Sequence, residues 1–311
     1  TCYIMRKKFF ITGGSGLLAL NWALSQQDKV DIVLCLHHRV INLDRVKTVL
    51  CSLNSINNIV NCLQQERPDV VIHAAGLTDI NKCEKKPKLA EYVNVTITRN
   101  VAVACALEGV RLVYISTDQL FDGSQSLYLE SDIASPINIY GATKVKAEGE
   151  VSKQDKRSLI IRTNFYGWGT TYRQSFSDFI LKSLKNKREI KLFDDVYYTP
   201  ILVHSLSVII HDLINIDASG IFNIVGDDKI SKFKFGQKLA REFNLDLGLI
   251  QASKLMSDSS LVQRPNNMAL SNCKVKKILG KRVISIDNDI KILYQQSKTK
   301  LFQGSGVIEV L

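Results

Sequence analysis

Tyr140 and Lys144 stand four positions apart in the run Tyr140-Gly141-Ala142-Thr143-Lys144. On a helix that spacing puts both side chains on one face. The pair has a chemical use. A free tyrosine titrates near pH ~10 and is a poor proton donor–acceptor couple at neutral pH. A nearby ammonium stabilises the phenolate and lowers that value. The tyrosine can then give a proton to a carbonyl oxygen as hydride arrives at the carbon. Ser116-Thr117-Asp118 lies just past an apolar run, where a hydroxyl can hydrogen-bond the same carbonyl. A YxxxK spacing alone is common on solvated helix faces. Its combination with the loop described next is what gives it meaning.

That loop is Thr12-Gly13-Gly14-Ser15-Gly16-Leu17-Leu18-Ala19. It follows a strand-like run and precedes a helix-like one. Glycines there permit a tight turn and let backbone N–H groups approach a pyrophosphate at the helix N-terminus. The spacing is G-x-x-G-x-x-A, with Ala19 small enough for close helix–sheet packing. In NAD-binding units a carboxylate near the end of the second strand holds the ribose 2′-hydroxyl. Here the chain reads Leu36-His37-His38-Arg39. Arg39 is suited to a 2′-phosphate, so NADP(H) is the favoured cofactor and NAD(H) the second choice. An ordinary solvated loop arginine is the bland alternative.

The elements that must position these residues alternate. Strands are expected over Lys8–Thr12, Val30–Leu36, Val70–Ala74, Arg111–Ser116 and Ser158–Arg162, each a short Val/Ile-rich run typical of buried parallel strands. Helices are expected over Leu17–Gln27, Ile56–Glu66, Lys88–Leu107 and Tyr140–Gln154. This alternation predicts an α/β fold, a Rossmann-type doubly wound parallel sheet. Beyond about residue 165 the pattern changes. Helices at Phe176–Lys187, Val203–Ile214, Lys234–Phe243, Lys274–Leu279 and Asn288–Gln296, with strands near Leu192–Asp194 and Gly220–Val225, suggest a smaller C-terminal α/β lobe. The expected division is a dinucleotide-binding domain over 5–165, a substrate lobe over 166–300 from which elements return to the first domain, and a tail over 301–311.

Length and composition agree. A chain of 311 residues, 45% hydrophobic and 23% charged, is globular rather than disordered. Its net charge of +11 suggests an anionic partner. The basic residues near the C-terminus, from Lys274 to Lys300, lack interleaved aromatics and an RNA-binding motif, so nucleic acid is not expected. No apolar run is long enough to span a membrane. Arg6-Lys7-Lys8 followed by an apolar stretch imitates a signal peptide, but Gly13, Gly14 and Gly16 interrupt it. Seven cysteines without a CxxC pair suggest a reduced, cytoplasmic protein with no disulfide framework and no metal site.

Taken together, these motifs resemble the extended short-chain dehydrogenases/reductases, close to the dTDP-4-dehydrorhamnose reductase group. The resemblance runs from about Lys7 to Leu279. It rests on TGGSGLL (12–18), IHAAGLTD (72–79), CEKKP (83–87), Val93-Asn94, ISTDQLFDG (115–123), YGATK (140–144), IIRTNFYG (160–167), DDVYYTPI (194–201) and RPNNMALSN (264–272). It implies Thr117, Tyr140 and Lys144 as the catalytic triad. Gly13, Ser15, Gly16 and Leu17 would meet the pyrophosphate, and Ala74, Ala75, Gly76 and Thr78 would line the cofactor cleft. Asn94 would support the active-site backbone or a water. Thr117, Asn164, Trp168, Tyr198 and Arg264 would face a nucleotide-sugar substrate, Arg264 through the diphosphate. The resemblance allows a homodimer.

Two departures bear on function. Cys51-Ser52-Leu53-Asn54 lacks the acidic residues that the group often carries near the adenine. Gln119 stands where the reductases usually have an aromatic residue and related dehydratases a glutamate. An amide cannot exchange a proton near neutral pH, so dehydration is disfavoured. Reduction of a 4-keto-6-deoxy sugar nucleotide is the expected reaction. A sugar nucleotide 4-epimerase and a non-catalytic NADP-binding regulator resembling the methionine adenosyltransferase beta subunit are the alternatives.

Overall fold

The structure, a computed structural model, describes residues 6–257, 262–281 and 285–310. Seven parallel strands form the central sheet. In chain order they are β1 (Lys8–Thr12), β2 (Asp31–Leu36), β3 (Lys47–Leu50), β4 (Val70–His73), β5 (Arg111–Ile115), β6 (Leu159–Arg162) and β7 (Gly220–Asn223). Across the sheet the order is β7-β6-β5-β4-β1-β2-β3. The order reverses between β1 and β4, and there the carboxyl ends of an open α/β sheet leave a crevice. This is the Rossmann-type fold expected from the alternation. One strand, β7, comes from beyond residue 165.

Alternation along β1 distributes the core. Phe9 and Ile11 pack into one layer and Phe10 into the other. The first layer holds α1 (Leu17–Gln26) and the second holds α2 (Ile56–Glu66). Helix α2 ends at Arg67, which adopts a left-handed conformation just before Pro68. Strand β3 was not anticipated. It is a short, half-buried edge strand with only two apolar residues, Val49 and Leu50, so it carries no periodic signal.

The expected single helix over Lys88–Leu107 is interrupted. After α3 (Ile80–Lys85), α4 (Pro87–Glu91) passes through one π-helical turn, Tyr92–Thr96, into α5 (Ile97–Leu107). Such a turn inserts one residue into the helical ladder, as often occurs at functional sites. It carries the buried Asn94. Helix α6 (Ile139–Gln154) presents Tyr140 and Lys144. Its N-cap is Asn138, whose side chain accepts from the Gly141 N–H at 2.8 Å.

Beyond β6 the longer helices are α7 (Phe176–Lys185), α8 (Val203–Asn215), α9 (Lys232–Glu242) and one over Ile286–Gln296. Helix α8 packs on α1, where Trp22 Nε1 donates to His211 Nε2 at 3.1 Å and Gln26 Nε2 to Ser207 Oγ at 2.9 Å. Short strand pairs stitch this part together, for example Phe165–Tyr166 with Ile201–Leu202. The chain end also returns. Thr171 N–H donates to the Val307 carbonyl, and Glu309 N–H to that of Gly169. No described helix is long and apolar enough to cross a membrane.

Candidate active site

A cleft of about 510 Å³ opens at the β1/β4 crevice. Gly13, Ser15, Gly16 and Leu17 line it from one side. Ala74, Ala75, Gly76 and Thr78 line it from the other, and Thr117, Tyr140 and Asn164 stand at its inner end. The glycine loop is built for close approach. Gly13 has φ +68°, and a Cβ there would meet the Ala75 backbone at 3.0 Å. Gly14 N–H donates to the Cys35 carbonyl at 2.9 Å, locking the turn onto β2. Helix α1 starts at this loop with no acidic residue in its first turn, so its positive end faces the cleft unopposed. These residues fit a dinucleotide pyrophosphate.

A buried relay braces the crevice. The Thr98 hydroxyl donates to the Asn94 carbonyl at 2.7 Å, so it accepts from His73 Nε2 at 3.0 Å. That fixes the imidazole tautomer with its proton on Nε2. His73 Nδ1 therefore accepts from the Thr12 hydroxyl at 2.7 Å. Thr12 Oγ1 in turn accepts the N–H groups of Ala74 and Ala75 at 3.1 and 3.2 Å. Burial pushes the His73 imidazole down to about 3, so it stays neutral. Asn94 completes the brace. Its amide accepts from Leu77 N–H at 2.7 Å and donates to Thr143 Oγ1 on α6 at 3.0 Å. The π-helical turn thus ties the segment after β4 to α6.

Tyr140 is buried at the cleft's inner end. Burial pushes its phenol up to about 12, while the nearby Thr117 hydroxyl pulls the other way. Thr117 is therefore placed to share a carbonyl oxygen with Tyr140. Lys144 does not fill the part expected of it at this point. Its ammonium donates to the Ile115 carbonyl at 2.8 Å and lies 4.2 Å from the Tyr114 ring centre. Burial pulls it down to about 7, opposed by the Glu148 carboxylate one turn further along α6. Glu148 is itself held by Arg162 at 2.8 Å and by the Ser116 hydroxyl at 2.6 Å. Gly141 lets the helix start close to the Thr117 loop. A Cβ on it would fall 2.2 Å from the Gln119 carbonyl oxygen.

The residues expected at the substrate divide. Asn164 reaches the cleft, donating to the Asp118 carboxylate at 2.6 Å. Trp168 does not. It is fully buried in the core, edge-on to Phe243, because Asn21 on α1 captures its backbone N–H and carbonyl. Tyr198 is also buried rather than lining the cleft, its ring under the Lys232 ammonium. Arg264 lies outside the cleft lining, Nη2 3.5 Å from the Asn81 side chain. Arg39 is exposed at the end of β2, stacked 3.5 Å over the Tyr172 ring. Tyr172 in turn donates to the Ser15 carbonyl.

Sequence reasoning missed the segment that closes the cleft. Arg173, Gln174, Ser175 and Phe176 line it opposite Thr78, and Arg173 Nη2 donates to Thr78 Oγ1 at 2.9 Å. Its only local signal is the capping box of Ser175 and Asp178, which starts α7. That signal marks a helix start and says nothing of a cleft. Among the described residues no cluster of His, Cys, Asp and Glu is suited to hold a metal ion.

Sheet order, pyrophosphate cradle and the Thr117–Tyr140–Lys144 cluster define an extended short-chain dehydrogenase/reductase. The family model described as RmlD substrate binding domain matches residues 7–299, and the chain belongs to that family. It is 26% identical to the probable low-salt glycan biosynthesis reductase Agl14 of Haloferax volcanii over 91% of this chain and 96% of that one. It is 27% identical to the methionine adenosyltransferase 2 subunit beta of Bos taurus, over 89% and 84%. Among solved structures it resembles dTDP-4-dehydrorhamnose reductase from Bacillus anthracis in complex with NADP. The TM-score is 0.83 at 26% identity, over 94% of this chain and all of that one.

Proposed function

We propose that the protein reduces the keto group of a nucleotide-bound 4-keto-6-deoxyhexose, using NADPH in preference to NADH. The observation that carries this reading is the Tyr140–Thr117 pair at the inner end of a pyrophosphate-ready cleft. When bound, the dinucleotide supplies the hydride. Thr117 orients the carbonyl, and Tyr140 gives its proton to the developing alkoxide. Lys144 holds the inner wall through the Ile115 carbonyl. Arg39, on its Tyr172 platform, meets the 2′-phosphate. Arg264 lies beside Asn81 outside the cleft lining, and its buried Nε, without a partner among the described residues, supports a contact to the substrate diphosphate. Several C-terminal lysines are engaged within the chain, such as Lys276 with Asp227 and Lys281 with Asp212. This supports a solvated face rather than a nucleic-acid surface.

The test is a panel of 4-keto-6-deoxyhexoses on dTDP, UDP, GDP and CDP, followed by NADPH absorbance. Oxidation with at least one member is expected, and a uniformly silent panel sinks the reading. The identity to the bovine subunit beta favours a second reading, a subunit without turnover. NADPH binding on a silent panel would support that one.

A further inference from the structure

Lys232 opens α9 at the margin of the cleft, and its ammonium is in an unusual place. It lies 3.5 Å from the centre of the Tyr198 ring and 4.8 Å from that of Phe176, which lines the cleft. Among the described residues it forms no ion pair and its side chain donates no hydrogen bond, since its contacts are to aromatic faces alone. Burial pulls it down to about 8, and the charge acting most strongly to hold the proton on is Asp118. Asp118 follows Thr117 directly and lines the cleft. Burial raises its carboxyl to about 6, and Asn164 donates to one of its oxygens. Carboxylate and ammonium thus feel each other yet do not pair.

Gln119 Oε1, on the residue after Asp118, and the hydroxyl of Tyr198, whose ring lies under Lys232, are buried without partners among the described residues. Buried polar groups left unsatisfied cost free energy and call for an explanation. A ligand hydroxyl suits the carboxylate and ammonium. It is donor and acceptor at once, so it can donate to Asp118 while accepting from Lys232. A phosphate would suit Lys232 but not the adjoining carboxylate.

We propose that Lys232 and Asp118 together read one hydroxyl of the hexose, the one beside the reacting carbonyl. The inference rests on the reductase reading, because Thr117 places that carbonyl next to Asp118. It makes Lys232 a specificity-determining residue that selects sugars hydroxylated at C3 over their 3-deoxy counterparts. Sites built to bond a hydroxyl discriminate strongly against its absence, because their own polar groups are then stranded.

The experiment compares wild type, Lys232→Met and Lys232→Arg. The substrates are the 4-keto-6-deoxyhexose nucleotide that the wild type turns over fastest and its 3-deoxy counterpart. In Lys232→Met, kcat/KM for the hydroxylated sugar should fall about 10- to 100-fold. For the 3-deoxy sugar it should change little, so discrimination collapses. The Kd for NADPH should stay unchanged, and Lys232→Arg should restore part of the discrimination. Equal losses on both sugars, or no loss, would overturn the inference while leaving the reductase reading intact. A wild type silent on every keto sugar would overturn both.

Discussion

The two ends of the cleft are built differently. At the cofactor end Thr12, His73, Asn94, Thr98 and Thr143 form a closed chain of hydrogen bonds that leaves none of these side chains idle. Toward the other end Gln119 Oε1 in the lining, and Tyr198 Oη and Arg264 Nε outside it, are buried without partners among the described residues, and the Lys232 ammonium meets only aromatic faces there. A pyrophosphate is held mostly by backbone and a helix end, which the fold can preform and satisfy internally. A sugar is recognised by side-chain donors and acceptors, which must wait for it. The cofactor end should therefore tolerate substitution poorly in stability. The substrate end should tolerate it well in stability and poorly in turnover.

The sharpest break in this contrast is Tyr140→Phe. Removing the proton donor should cut reductive turnover by about 10²–10⁴-fold with the Kd for NADPH little changed. Undiminished turnover would remove Tyr140 from the mechanism. His73→Leu tests the other end. It strands the Thr12 and Thr98 hydroxyls and should cost about 2–3 kcal/mol of stability, read as a lower midpoint in urea. An unchanged midpoint would show the relay to be idle.

The same variant carries a pH signature. Folded His73 titrates at about 3, below its unfolded value near ~6.5. Between those values the unfolded chain binds a proton that the folded chain refuses, so stability is lost as pH falls through that window. His73→Leu should flatten this part of the acid limb, measured by urea midpoints at several pH values. Asp118 works in the opposite sense. Its folded value of about 6 lies above the usual carboxylate range, so protonation there favours the folded state as pH falls.

Smaller effects sharpen the comparison. Arg39→Ala should weaken NADPH binding about tenfold, on the order of 1.4 kcal/mol, and leave NADH binding alone. Equal loss of both cofactors would place Arg39 elsewhere than at the 2′-phosphate. Tyr198→Phe removes a buried hydroxyl that has no protein partner. It should leave the urea midpoint unchanged or slightly raised, and a loss above about 1 kcal/mol would mean that the hydroxyl is satisfied within the fold.

What the sequence determined by itself is local in the chain. The glycine loop needs one strand, one turn and one helix start. Tyr140 and Lys144 need one helical turn, and Gly141 between them is required by the approach of the Gln119 carbonyl. The Val/Ile-rich runs announce buried parallel strands, and five of the seven are legible that way before β7, which reads as an isolated strand. What only the tertiary structure decided joins distant segments. Trp168 reads like a pocket aromatic, but Asn21, far back in the chain, draws it into the core. Lys144 reads as a partner for Tyr140, but the Ile115 carbonyl holds its ammonium. Arg173 reaches Thr78, and Lys232 reaches the field of Asp118, across separations that no periodicity encodes. Periodicity and turn chemistry act over a few residues. Which side chain faces a cleft is set by packing between elements, and that information is present only once the sheet and its helices have closed on one another.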